Sequence, residues 1–201
     1  MSGKTELEKL EAGEIYDFTD KEVAARKDFA ILKCKEYNSI DTMDTEGRWK
    51  YLSEWLGSIG KGTWVASTFN CDYGKNIFLG SNITMNFNVT ILDIRKVTIG
   101  DNTMIGPGTL ITTVGHPLSP KGRRGHQAFA KPVTIENYVW IGGNVVILPG
   151  ITIGRGSVIG AGSVLIKDIS PFSLAVESPA RVIKTIENDL IFFKNQSFAS
   201  I

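Results

Sequence analysis

The sequence predicts a mainly β chain, a parallel β-helix preceded by a small helical cap, on three observations. Between Leu79 and Leu165 an aliphatic side chain returns every sixth residue within each unbroken run. Glycine follows that side chain in half of the repeats. Before Ile77 the apolar residues recur at helical spacing instead.

The cap is expected over residues 1–60. Val23, Ala24, Phe29, Ala30, Leu32 and Tyr37 carry a helical pattern, and Asp20 just before them suits an N-cap. A second, shorter helix is predicted over 46–56, with Trp49, Leu52, Trp55 and Leu56 on one face and Gly57 as its stop.

The β-helix is expected over residues 61–188. Leu79, Met85 and Ile91 form one run, and Ile99, Ile105 and Ile111 a second. Ile135, Ile141, Ile147, Ile153, Ile159 and Leu165 form the third. A short strand and a tight turn consume six residues, and three such units close a triangular coil of eighteen. Coils then stack at the usual ~4.8 Å between strands, each aliphatic lying over its equivalent one coil away. A second period of eighteen separates the faces: Leu92, Thr112, Leu148 and Ile166 fill the slot that on the other two faces holds glycine except at Asn86 and Glu136. A β-sandwich alternates with period two and varies its strand lengths, which a fixed six does not match.

Two interruptions stand out. Arg95 and Lys96 add two residues between coils, and residues 115–131 form a polar excursion rich in Gly and Pro. Excursions from a rigid solenoid are where function is usually carried. Ser170 and Pro171 end the coils, and residues 189–201 form a C-terminal tail that the pattern does not place.

Composition narrows the function. Lys and Arg number 22 against 21 Asp and Glu, so no basic surface points to nucleic acid or an anionic membrane. The N-terminus has no apolar signal segment, no stretch is long enough to span a bilayer, and only Cys34 and Cys71 are cysteines. A cytoplasmic location is the expectation. The chain has two histidines, His116 at the start of the excursion and His126 inside it. Imidazole suits general-base work near neutrality, and Pro117 restricts the backbone of His116; a turn-capping histidine is the alternative on the residues alone. Two histidines do not make a three-histidine zinc site, so no metal is expected.

Several motifs together carry a resemblance. They are the run from Ala12 through Tyr16 to Asp17, Cys71-Asp72-Tyr73-Gly74, Asn86-Phe87-Asn88, Ile91-Leu92-Asp93 and Gly115-His116-Pro117-Leu118. The match continues through Val139-Trp140-Ile141-Gly142-Gly143-Asn144, Gly160-Ala161-Gly162 and Pro179-Ala180-Arg181-Val182-Ile183. On these the chain resembles the galactoside and maltose O-acetyltransferases, hexapeptide-repeat acyltransferases, over roughly residues 8–188. The resemblance implies a left-handed β-helix, a homotrimer with sites between subunits, and transfer of acetyl from acetyl-CoA to a sugar-like hydroxyl. It implies His116 as general base, Asn86 as oxyanion donor, and Asp17, Cys71 and Asp93 at the acceptor. For the coenzyme it implies Trp140, Gly142, Gly143, Ala161, Ile166, Lys167, Arg181 and Lys184; glycines allow close backbone approach and cations suit phosphates.

Thr84, Ala128 and Glu177-Ser178-Pro179 depart from the family pattern and bear on which alcohol is accepted. An acetyltransferase of the same fold acting on an antibiotic, amino sugar or sugar nucleotide is the rival enzyme. A non-enzymatic scaffold is the rival of another class; its repeated binding faces would need identical outward side chains, which are absent here.

Overall fold

A computed structural model describes residues 3–186; the 189–201 tail lies outside the described residues. Three helices come first: α1 (Glu6–Ala12), α2 (Lys21–Ser39) and α3 (Thr45–Trp55). Asp20 caps α2 as predicted, its carboxylate accepting from the N–H groups of Glu22 and Val23, and Asp44 caps α3. The apolar spacing predicts no helix at α1, yet a capping box of Thr5 and Glu8 and a left-handed Gly13 mark its two ends.

The rest is a parallel solenoid with three flat faces. Face I stacks Ser58–Ile59, Ile77–Leu79, Val97–Ile99, Val133–Ile135 and Thr152–Ile153. Face II stacks Trp64–Val65, Thr84–Met85, Met104–Ile105, Trp140–Ile141, Val158–Ile159 and Ser173–Val176, and the antiparallel strand Arg181–Thr185 closes it. Face III stacks Asn70–Cys71, Thr90–Leu92, Leu110–Thr112, Val146–Ile147 and Val164–Leu165. Registers pair Ile135 with Ile153 and Ile141 with Ile159, as the eighteen-residue period requires. All twelve repeating aliphatics are buried. Each contributes roughly 1.5–3 kcal/mol of hydrophobic stabilisation.

One coil precedes those visible in the sequence. Ile59, Val65 and Cys71 pair with Leu79, Met85 and Ile91, so Cys71 is the inward residue of the first coil on face III. The cap closes this end of the prism: Ala30, Cys34, Tyr37, Leu52 and Trp55 join Val65, Phe69 and Cys71 in one core. Arg48, buried beneath the cap, gives its guanidinium hydrogens to the carbonyls of Ile40 and Val65. No helix among the described residues is long and apolar enough to cross a membrane.

The residues that exceed the six-residue period all fall at the turn from face III to face I. They are the 72–76 turn of the first coil, residues 93–96 of the second, and the 115–131 excursion of the third. The excursion is folded. Val114–Gly115 pairs with Phe129 and Ala130, and Tyr16–Asp17 adds a third antiparallel strand against Gln127 and Ala128. Leu10, Tyr16, Val23, Ile94, Ala128 and Ala130 form a second core beneath it.

Candidate active site

His116 follows strand Val114–Gly115 and is exposed at the base of the excursion. Its Nδ1 lies 3.1 Å from the carbonyl oxygen of Gln127. A carbonyl only accepts, so Nδ1 carries the hydrogen and Nε2 keeps its lone pair. The Phe18 ring meets the imidazole edge-on with centroids 5.1 Å apart, and meets His126 at 5.7 Å. The N-terminal arm thus holds the imidazole by ring packing while the excursion holds it by a hydrogen bond.

Asp17 lies on the same arm. One oxygen of its carboxylate accepts from both the N–H and the hydroxyl of Thr19, which keeps it below the usual carboxylate range. The next carboxylate along this edge is Asp72. Its Oδ2 is buried without a hydrogen bond, and the ammonium of Lys27 stands 3.5 Å away. Burial raises Asp72, with Lys27 acting against it. Tyr16 is buried beside it and pushed up to about 12, first by desolvation and then by the Asp72 charge.

Cys71 and Asp93 do not lie where the sequence reading puts them. The Cys71 thiol points into the prism, 3.9 Å from Cys34, and is raised by that contact and by burial, so it is no activated thiolate. Asp93 is wholly buried, and both its oxygens are taken by main-chain N–H groups. Burial pushes it up to about 6 against the opposing pull of the Tyr73 and Gly74 N–H groups. Neither side chain offers a surface to an acceptor in this chain, whereas Asp72, which the sequence reading passed over, sits one residue beyond Cys71. Neighbouring strand residues point to opposite sides, and that is the signal that could have found it.

Several of the remaining residues fall on the edge between faces II and III. Asn86, Gly106, Gly142 and Gly160 occupy one vertical column, each N–H donating to the next coil. Successive rungs stand ~4.8 Å apart, which puts Asn86 roughly 10 Å above Gly142. Trp140 is half exposed on face II just before Gly142, and Gly142 is packed so closely that a Cβ would lie 2.6 Å from the Ala161 nitrogen. Arg181 and Lys184 are exposed on the closing strand, opposite Val176 and Leu174. Ile166 and Lys167 belong to the other edge, below His116 in the stack.

The candidate residues therefore fall on two separate edges of the chain. Asn86, Trp140, Gly142, Gly143, Ala161 and Arg181 cluster on or beside the II–III edge. Asp17, Phe18, Asp72 and His116 cluster at the III–I edge, with a whole face between. Among the described residues, no group of three or more His, Cys, Asp or Glu side chains could hold a metal ion.

Comparison with known proteins agrees with the solenoid and its helical cap. Residues 132–167 match the family model "Bacterial transferase hexapeptide (six repeats)", and residues 9–60 match "Maltose acetyltransferase hexapeptide capping motif". Nodulation protein L of Rhizobium meliloti (strain 1021) is 46% identical over 180 residues, 89% of this chain and 98% of that protein. The crystal structure of a maltose O-acetyltransferase from Clostridium difficile 630 superposes with a TM-score of 0.89 at 40% identity, covering 92% of this chain and 100% of that one. A galactoside acetyltransferase in complex with coenzyme A superposes with a TM-score of 0.88 at 37% identity, covering 92% of each.

Proposed function

Because the chain belongs to the galactoside and maltose O-acetyltransferase family of hexapeptide-repeat enzymes, we propose that it moves acetyl from acetyl-CoA to a hydroxyl of a sugar or sugar-like acceptor, with His116 as general base. The observation that carries this reading is the 3.1 Å contact between Nδ1 of the exposed His116 and the carbonyl oxygen of Gln127. With Nδ1 donating to that carbonyl, Nε2 is the atom able to take a proton.

The step balances simply. The acceptor oxygen attacks the thioester carbonyl while Nε2 takes its hydrogen, and a C–O bond forms. The carbon–sulfur bond then breaks and the departing thiolate recovers that proton. Asn86 supplies an amide N–H to the oxygen that becomes negative between these events. Gly142, Gly143 and Ala161 allow close backbone approach along the groove, Trp140 gives a flat wall, and Lys167, Arg181 and Lys184 supply cations for phosphates. Asp17 and Asp72 serve the acceptor, since a carboxylate takes two or more hydroxyl hydrogen bonds.

One chain does not join Asn86 to His116. A closed cyclic trimer, with the II–III edge of one subunit against the III–I edge of the next, makes three complete sites. Exposed Trp64, Met104 and Trp140 on face II, and Phe87 at the adjoining edge, are apolar surface of the kind such contacts cover. The test is release of free thiol from acetyl-CoA in the presence of galactosides, maltose, glucose, amino sugars and aminoglycosides. Turnover with a sugar hydroxyl is expected; turnover with amines alone would replace the acceptor class.

A further inference from the structure

Three loops break the six-residue period at the III–I edge, and Asp93 binds the first to the second. Asp93 Oδ1 accepts the N–H of Asp72 at 3.1 Å and of Tyr73 at 2.8 Å. Its Oδ2 accepts the N–H of Gly74 at 2.7 Å and of Asn76 at 3.3 Å. The Asn76 amide returns the contact, donating to the carbonyls of Asp93 and Ile94. Arg95 then reaches Thr113, just before the third loop, its N–H donating to the Thr113 hydroxyl, and its guanidinium binds carbonyls in the last turn of α1.

We propose that Asp93 is a positioning residue for the acceptor: by gathering four N–H groups it fixes the 72–76 turn, and with it the place of Asp72 and Tyr73 in the acceptor wall. The inference rests on the acetyltransferase reading above. It replaces direct contact by Asp93, whose side chain is wholly buried.

The turn needs an outside anchor. Four of its five N–H groups go to Asp93, and Gly74 stands at φ +84° with no room for a Cβ beside the Trp55 indole. Four converging donors call for a group that only accepts. A carboxylate meets that need, whereas an asparagine amide would turn its own hydrogens toward at least one of them. What the turn presents is the wall itself. Asp72 lies beside Tyr16, and the Tyr73 ring lies under the Arg26 guanidinium at 4.7 Å. A shift of about 1 Å in such groups can cost on the order of a hundredfold in rate.

The experiment compares full-length wild type, Asp93→Asn and Asn76→Ala in steady-state thiol release, varying acetyl-CoA and then a galactoside or maltose. In Asp93→Asn the acceptor KM should rise roughly tenfold, the cost of a mispaired buried polar group, with the acetyl-CoA KM within about twofold. Asn76→Ala loosens the same turn more gently and should raise the acceptor KM about threefold; it carries the test if Asp93→Asn does not fold. An acceptor KM unchanged in the folded variants, or both KM values rising alike, overturns the positioning role. Wild type that turns over no hydroxyl acceptor defeats the acetyltransferase reading instead, and this inference falls with it.

Discussion

His116 holds its Nδ1 3.1 Å from the main-chain oxygen of Gln127, and that oxygen belongs to the strand that also pairs with the N-terminal arm. This imidazole is therefore oriented by two segments more than a hundred residues apart in sequence, the arm acting through Phe18.

His116→Ala should lower kcat by about 10²–10⁴, the usual worth of a general base, and leave the fold intact because the ring lies outside both cores. His126→Ala should be close to neutral. Thiol-release kinetics with a circular-dichroism control checks both. Near-wild-type turnover in His116→Ala removes it from the mechanism.

Mixing tests the divided site. If Asn86 and His116 of each site come from different chains, inactive Asn86→Ala and His116→Ala proteins should complement once refolded together. Random 1:1 trimers then hold about one intact site in four, so about a quarter of wild-type activity should return. Mixed protein that stays as inactive as its parents places both residues in one chain's site.

Donor and acceptor contacts should separate kinetically. Arg181→Ala should raise the acetyl-CoA KM and spare the acceptor, with a smaller effect on a truncated donor lacking the nucleotide phosphates. Asp72→Ala should do the reverse, losing ~1–3 kcal/mol toward the acceptor. Asn86→Ala should depress kcat more than either KM, since an oxyanion donor acts chiefly in the transition state. The opposite pattern at Asp72 and Arg181 reverses the assignment of the two edges.

Alkaline pH should destabilise the cap. The Tyr37 hydroxyl is buried, donates to the Val65 carbonyl at 2.6 Å, and is pushed up to about 12 by burial. An unfolded tyrosine ionises near 10. Between those values the unfolded chain binds fewer protons, so stability falls as pH rises, by up to about 2–3 kcal/mol for this residue. Tyr16 adds a similar slope. Urea melts at pH 9 and 11.5 should show the fall in wild type and a shallower one in Tyr37→Phe; identical slopes contradict it.

The sequence by itself determined the solenoid, because its code is local and repeated. An inward aliphatic every six residues meets its like one coil away, as Ile135 meets Ile153, and all twelve are buried. It also determined where α2 starts, since Asp20 bonds to N–H groups two and three residues on. The first coil was equally regular at Ile59, Val65 and Cys71. It was hidden because the 72–76 turn makes the next step eight residues. Only the tertiary structure decided the site. Tyr16 meets Ala128 across 112 residues, and no local pattern specifies a pairing that the returning chain creates. Motif matching also tolerates a shift of one residue, whereas a strand does not, since successive side chains point to opposite sides. That is why Cys71 lies in the core while Asp72 borders the arm. The same contrast governs Asp93, whose carboxylate is turned inward onto four N–H groups of the preceding coil.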